Sequence, residues 1–330
     1  MATIRRAGAS RPGTPAPENP ATSSDLVARA RSGDKRSIAR LLTIVENDEP
    51  EAADAMRALY PDTGRAQIVG ITGPPGGGKS TLVNRLAAAF RERASHVAIV
   101  AVDPSSPFSG GAILGDRIRM RERFLDEGIF IRSMASRGHT GGLARATVRV
   151  VNVLDALGTD VVLVETVGVG QEEVDVIRVA DTVCLVTVPG LGDDIQAIKA
   201  GILEIADVLV VNKADRPGAD ETARDLAQML SLAKDRPWKT PIIRTSAQTG
   251  EGLPQLLDAI AKHRSWSLSS GEHEDRRRAA ARAEVEALLR EALLRELEGR
   301  VGAARLNAAV ARVAERSIDP YAAVEELLRR

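Results

Sequence analysis

A glycine-rich segment followed by lysine and serine has the residue types and spacing best suited to phosphate chemistry. The segment GPPGGGKST fits the pattern G-x-x-x-x-G-K-[ST]. Glycines let consecutive backbone N–H groups point into one concavity, and a helix starting near Lys79 adds the positive end of its dipole. Lys79 would reach the β and γ phosphates, and Ser80 would offer its hydroxyl to Mg²⁺. The predicted cradle consists of Gly73, Pro74, Pro75, Gly76, Gly77, Gly78, Lys79, Ser80 and Thr81.

Three carboxylates lie where they could hold Mg²⁺ or orient a water molecule. Asp103 and Glu165 each come at the end of an apolar run, and Asp116 lies in the glycine-rich segment SGGAILGDR. Carboxylates at neighbouring strand ends beside a phosphate loop suit both roles. We therefore predict Asp103, Asp116 and Glu165 as metal ligands and, together with Lys79, as catalytic residues. For Asp116, a simple turn or capping role is the alternative.

The base of the nucleotide is indicated by the tetrapeptide Asn212-Lys213-Ala214-Asp215. The Asp215 carboxylate can accept hydrogen bonds from N1–H and the exocyclic amine of guanine, whereas adenine presents the opposite polarity. Such a mismatch rejects the wrong base by roughly 10⁴-fold. Thr245-Ser246-Ala247 follows the next apolar run, and its backbone N–H groups could contact the guanine oxygen. We predict GTP and GDP as ligands, with base contacts from Asn212, Lys213, Asp215, Ser246 and Ala247.

These residues must be positioned by alternating apolar runs and helical segments. The near-continuous apolar runs predict strands at 68–71, 97–102, 129–133, 161–165, 183–188, 208–211 and 242–245. Helices are predicted at 80–93, 143–157, 172–180, 194–205, 220–234 and 254–262. This alternation predicts an α/β fold of the P-loop NTPase type, with a mostly parallel central sheet flanked by helices and ligands at the carboxyl ends of the strands.

Helical extensions are predicted on both sides of this domain. We expect a disordered tail at 1–23, a helical extension at 24–62 starting with Ser24 as a cap, the P-loop domain at 63–271 and a helical arm at 272–330. The arm carries an apolar stripe, and Gly299 is predicted to break its first helix. The stripe consists of Val285, Leu288, Leu289, Leu293, Leu294 and Leu297. Because the stripe needs a surface to bury against, we expect self-association to a homodimer, with folding back on the same chain as the alternative.

Composition limits the other partners. The 330 residues carry 45 Lys plus Arg and 45 Asp plus Glu, so bulk charge does not favour a nucleic-acid partner. One cysteine, Cys184, cannot form an internal disulfide. No apolar run has the length of a transmembrane helix. We therefore expect a cytoplasmic protein with no nucleic-acid and no membrane partner.

The chain resembles the methylmalonyl-CoA mutase-associated GTPases, the MeaB or ArgK family. The resemblance rests on GPPGGGKST, VDPSSPFSGGAILGDR, MASRGHTGGLA, ETVGVGQEE and NKAD, which stand in family order. It implies a G protein that chaperones an adenosylcobalamin-dependent methylmalonyl-CoA mutase and gates cofactor loading through GTP hydrolysis. It also implies that the segment 190–199 is a third switch, a segment through which the nucleotide state is passed to the mutase. A solvated helix start with acidic residues near its N-terminus would explain that segment equally simply.

Three other functions fit parts of the pattern. A metal-insertion GTPase for another enzyme would need metal ligands, and one cysteine with four scattered histidines is a poor set. An ATP-dependent kinase linked to amino-acid transport, the activity behind the older ArgK name, conflicts with Asp215. A nucleotide-binding scaffold without turnover would show no stimulation by a partner.

Overall fold

The structure, a computed structural model, describes residues 23–93, 96–103, 126–135, 142–166, 179–190, 205–232 and 236–329. The predicted Asp116, the predicted tail up to residue 22, the helix predicted at 194–205 except its last residue, and most of the helix predicted at 172–180 lie outside this part. So does the predicted third switch beyond Gly190.

Seven parallel strands form one sheet in the order β3-β2-β4-β1-β5-β6-β7. The strands are β1 Gln67–Thr72, β2 Val97–Asp103, β3 Ile129–Ala135, β4 Val161–Thr166, β5 Thr182–Thr187, β6 Val208–Val211 and β7 Ile242–Arg244. The central strands are apolar runs rich in β-branched residues, and β4, β5 and β6 are buried along their whole length. The edge strands β3 and β7 are only partly buried. The α/β fold class with a parallel sheet is confirmed.

Helices precede, connect and follow the strands. We number the described ones α1 Ser23–Arg31, α2 Lys35–Glu46, α3 Ala52–Leu59, α4 Lys79–Arg91, α5 Gly142–Ala156, α6 Ala219–Leu232, α7 Leu253–Ser270, α8 Glu272–Val301, α9 Ala303–Ala314 and α10 Pro320–Leu328. Of the helices in the described residues, none combines the length and apolarity needed to cross a bilayer.

The chain divides into two compact units, Met1–Ile68 with Ser80–Val167 and Val69–Lys79 with Gly168–Arg330. In the first unit, α2 begins at an Asp34 cap that accepts from the Ser37 amide, and it buries Leu41 and Leu42 completely. The α2 residue Glu46 pairs with Arg132 of β3. The N-terminal helices therefore pack on one another and on α5, and the Glu46–Arg132 pair links α2 to β3.

A buried aspartate holds the linker that leads from these helices into β1. Asp155 of α5 accepts hydrogen bonds from the backbone amides of Gly64, Arg65 at 3.1 Å and Ala66 at 2.8 Å. Asp155 is only 4% exposed, and the three donors offset the loss of most of the water around its carboxyl group. This contact fixes the backbone just before the strand that precedes the phosphate loop.

In the second unit, β1 pairs with β5 and β5 with β6, so the loops after β1, β5 and β6 lie at the same edge. Two predictions about its helices were wrong. Helix α7 continues past residue 262 to Ser270, because His263 and Ser267 are buried and extend its inner face. Helix α8 continues through Gly299, and the break comes at Gly302, which has a φ of 73°.

Candidate functional site

The phosphate loop has a backbone that its glycines make possible. Gly73, Gly76 and Gly78 have φ values of 145°, 74° and 83°, a region that L-residues with side chains rarely adopt. A Cβ atom on Gly73 would lie 2.0 Å from the Val186 carbonyl oxygen, and one on Gly78 would lie 2.5 Å from Asn212 Nδ2. A Cβ on Gly76 would meet nothing within 4 Å. Two of these glycines are therefore required by space as well as by conformation.

Lys79 lies within this loop rather than in solvent. It begins α4 and is 6% exposed, and its Nζ donates to the carbonyl oxygens of Gly73 at 2.8 Å and Pro74 at 3.0 Å. Pro75 and Gly76 are exposed at the tip of the loop. The ammonium group is thus held beside the backbone that the pattern assigns to phosphate binding.

The predicted base motif is fastened directly to the same loop. Asn212 Nδ2 donates to the Gly77 carbonyl oxygen at 2.9 Å, and Lys213 Nζ donates to that of Gly76 at 2.6 Å. Asn212 is 1% exposed and follows β6 immediately. Lys213 has a φ of 57°, an uncommon conformation for a residue with a side chain. These contacts place the two motifs, far apart in sequence, side by side in the second unit.

The segment after β7 completes the surroundings of Asn212. The Thr245 hydroxyl donates to Asn212 Oδ1 at 3.2 Å, and the Ala247 amide donates to the same oxygen at 3.1 Å. Thr245, Ser246 and Ala247 are all buried. The Asn212 side chain therefore uses its amide and its oxygen at once, linking the phosphate loop to the segment predicted to meet the base.

Asp215 differs from these residues because it is exposed. A hydrogen bond from the Ser246 side chain is the main cause that lowers the pKa of its carboxyl group, and a backbone hydrogen bond adds to this effect. The carboxylate form is therefore favoured, which is the form that can accept two hydrogen bonds from guanine. Ser246 therefore orients the Asp215 carboxylate, and it is also one of the residues predicted to contact the guanine base.

Two of the predicted metal ligands, Ser80 and Glu165, contact each other in the first unit. The Ser80 hydroxyl donates to Glu165 Oε1 at 2.6 Å, and Glu165 is 3% exposed. The register pairs Ala101 of β2 with Glu165 of β4, so Asp103 ends the strand beside it. The side chain of Asp103 lies outside the described part of the structure, as does all of Asp116. Ser80 and Glu165 are thus brought together, which the sequence did not predict as a contact.

The parallel sheet and the phosphate loop that follows β1 are features of the P-loop nucleotide-binding proteins. A family model described as methylmalonyl Co-A mutase-associated GTPase MeaB matches residues 38–301, and the chain belongs to this family. The predicted family membership is confirmed.

Individual relatives are consistent with this membership. The chain is similar to a putative GTPase of Pyrococcus abyssi, with 48% identity over 92% of this chain and 95% of that protein. It is 38% identical to the mouse protein described as methylmalonic aciduria type A homolog, mitochondrial, over 62% of this chain and 50% of that one. A solved structure described as LAO/AO transport system kinase has a TM-score of 0.69 at 25% identity, covering 94% of this chain and 97% of that chain.

Proposed function

We propose that this protein binds and hydrolyses GTP and uses this cycle to chaperone an adenosylcobalamin-dependent methylmalonyl-CoA mutase. The observation that carries the nucleotide part is the bond from Asn212 Nδ2 to the Gly77 carbonyl oxygen, 2.9 Å long. This hydrogen bond joins the motif predicted to recognise guanine to the loop predicted to bind phosphate. Because each motif fits one end of the same ligand, their contact supports a single nucleotide site.

Each predicted residue has a role in this site. The glycine amides and Lys79 would hold the phosphates, and Asp215 would select guanine with the Ser246 and Ala247 amides beside it. Lys79 would stabilise negative charge as it develops on the transferred phosphoryl group. The loop can take this shape because glycine occupies Gly73 and Gly78, where a side chain would collide with the Val186 carbonyl oxygen or with Asn212.

A magnesium ion fits the Ser80 and Glu165 pair. A hydroxyl and a buried carboxylate are both oxygen ligands, which Mg²⁺ prefers, and they lie within 2.6 Å of each other. When bound, the ion would neutralise charge on the β and γ phosphates. Glu165 would hold the ion or its water, and we propose the same for Asp103 and Asp116.

The mutase partner is supported by the family rather than by a surface of this chain. The matching family is described as mutase-associated, and the mouse relative is named for methylmalonic aciduria. In this proposal the nucleotide state gates the loading of intact cofactor. The arm at 272–330 would form a homodimer, because five large apolar side chains of α8 are exposed. These are Val285, Leu288, Leu289, Leu293 and Leu294.

A kinase is the second candidate, because the similar solved structure is described as a transport system kinase. Nucleotide choice separates the two. The GTPase proposal predicts tight GDP and GTP binding with weak ATP binding, whereas a kinase of the usual type would use ATP.

The test is Lys79→Ala with titration calorimetry of GDP, GTP and ATP. The variant removes the ammonium group that lies in the loop and should abolish tight nucleotide binding. Lys262→Ala is the control, because Lys262 pairs with Asp258 on an exposed face of α7 and should bind as wild type does. Unchanged GTP affinity in Lys79→Ala would contradict the phosphate-loop assignment.

A further inference from the structure

A buried carboxylate marks the place where the C-terminal arm joins the second unit. Asp207 lies directly before β6 and is 0% exposed. Its two oxygens accept from Arg276 of α8, with Nη1 to Oδ2 and Nη2 to Oδ1 both at 2.8 Å. This bidentate geometry is the strongest form of a carboxylate and guanidinium pair. The first turns of α8 are therefore tied to the sheet through one ion pair.

Other groups converge on the same carboxylate. The Val183 amide of β5 donates to Asp207 Oδ2 at 2.9 Å, Arg236 Nη2 donates to Oδ1 at 3.4 Å, and His263 Nε2 of α7 lies 3.3 Å from Oδ1. Burial alone would raise the pKa of Asp207, but the hydrogen bonds and charges of Arg276 and His263 outweigh it and lower that pKa. The acid is thus ionised and held from several elements.

Two further contacts join the start of α8 to Asp181, the residue directly before β5. Arg276 Nη1 donates to the Asp181 carbonyl oxygen at 3.4 Å, and His273 Nδ1 lies 3.3 Å from Asp181 Oδ1. Within α8, Arg276 Nε donates to Glu272 Oε1 at 3.0 Å, which orients the guanidinium group. The Arg276 guanidinium therefore has both an acid of its own helix and the buried acid of the sheet. Because Arg276 and His273 both contact residues that precede strands β5 and β6, the start of α8 has a defined direction in the second unit.

We propose that Arg276 and Asp207 form an anchor that sets the orientation of α8 and thereby prepares the arm for association with a second copy of this chain. The inference rests on the homodimer in the proposed function. The exposed apolar side chains of α8 begin at Val285, more than two helical turns beyond Arg276. An arm held in one direction loses less freedom on association than a freely moving one, so the anchor strengthens dimerisation.

The anchor lies at the opposite end of the strands from the nucleotide motifs. Asp181 and Asp207 precede β5 and β6, whereas Asn212 follows β6. Breaking the anchor is therefore expected to leave nucleotide affinity unchanged.

The test compares Arg276→Gln with Arg278→Gln. Both changes remove one positive charge from the first turns of α8, but Arg278 forms an exposed pair with Glu274 four residues away on the same helix. Spin labels are placed at Glu221→Cys on α6 and Arg290→Cys on α8, both exposed positions. Cys184 is 0% exposed and is not expected to be labelled. Dilution with unlabelled protein restricts the measured distance to a single chain.

The anchor predicts a broader distance distribution in Arg276→Gln, a dimer dissociation constant raised by about tenfold or more in sedimentation equilibrium, and GDP affinity within about twofold of wild type. Arg278→Gln should match wild type in all three. An equally narrow distribution with unchanged dimerisation in Arg276→Gln would overturn the proposal, and so would a loss of GDP affinity.

Two further outcomes keep the test decisive. If circular dichroism shows that Arg276→Gln is unfolded, Arg276→Lys replaces it, because lysine keeps the charge but loses the bidentate geometry. A broader distribution of the distance between the two spin labels in Arg276→Lys than in wild type supports the anchor, and an unchanged distribution overturns it. If the wild-type protein is monomeric at every concentration, the homodimer and its preparation by the anchor both fail, even where GDP binds tightly.

Discussion

Alanine substitutions at three phosphate-loop glycines should destabilise the protein in a defined order. Gly76→Ala introduces only conformational strain, because nothing lies within 4 Å of the new Cβ. Gly78→Ala adds an overlap with Asn212 Nδ2 at 2.5 Å, and Gly73→Ala adds an overlap with the Val186 carbonyl oxygen at 2.0 Å. The expected order of destabilisation is therefore Gly76 least, Gly78 more and Gly73 most.

The magnitudes follow from the contacts. Placing alanine in a left-handed conformation costs about 1–2 kcal/mol, which is the whole effect expected for Gly76→Ala. In Gly78→Ala the Asn212 side chain must move, and it makes hydrogen bonds with Gly77, Thr245 and Ala247. Losing two or three bonds worth about 1 kcal/mol each brings the total to about 3–5 kcal/mol.

Urea unfolding followed by tryptophan fluorescence measures these differences. Trp238 and Trp266 lie 5.3 Å apart in the second unit, the unit that contains Gly73, Gly76 and Gly78. The gap between Gly78→Ala and Gly76→Ala should shrink when both are made in an Asn212→Ala background, because the overlap is then gone. Equal destabilisation by the two single substitutions would refute the account of a locked Asn212.

Three further predictions test other parts of the structure. Asp155→Asn should lower the free energy of unfolding by about 1–3 kcal/mol, since one amide oxygen cannot accept what the carboxylate accepts from three backbone donors, and an unchanged melting temperature would contradict this. The pKa of Asp207 in the folded protein lies below its ordinary value of 3.8, so its contribution to the free energy of unfolding is complete above that value and is lost as the pH falls below it. Urea unfolding between about pH 6 and about pH 3 should therefore show a smaller loss of stability with falling pH in Arg276→Gln than in wild type. An equal loss in both proteins would contradict the ion pair. Asp215→Asn should shift binding from guanine to xanthine nucleotides, because the asparagine amide donates a hydrogen bond where the carboxylate accepts one. Retained guanine selectivity in competition binding would contradict the predicted pairing of Asp215 with the base.

The strands were predictable because each is a short, nearly continuous apolar run. Strand β6 was predicted at its observed bounds, and β2 differs only by including Asp103. Apolar runs that alternate with helical segments are typical of a parallel sheet flanked by helices. The apolar pattern therefore carried most of the fold.

Helix ends were less predictable because tertiary contacts decide them. Gly299 costs the helix only about 1 kcal/mol relative to alanine, so α8 continues, whereas Gly302 has the positive φ that ends it. The inner face of α7 beyond residue 262 includes the buried polar residues His263 and Ser267, which carry no apolar signal. His263 contacts Thr182 of β5 and Asp207, and local spacing does not encode these contacts.

In the candidate site too, local patterns predicted some features, whereas tertiary contacts decided others. Local patterns were enough to select Lys79, Asn212 and Asp215 as candidates. The bonds from Asn212 to Gly77 and from Ser80 to Glu165 join residues 135 and 85 positions apart, and no local pattern encodes them. Those contacts depend on strand order and register, which only the folded chain fixes.

The most direct test of the central claim is steady-state hydrolysis of GTP and ATP by the purified protein, with and without an equal concentration of adenosylcobalamin-dependent methylmalonyl-CoA mutase. We expect turnover that is selective for GTP and that rises several-fold with the mutase, because a partner can order mobile loops around the γ-phosphate. Preference for ATP, or no turnover of GTP under either condition, would contradict it.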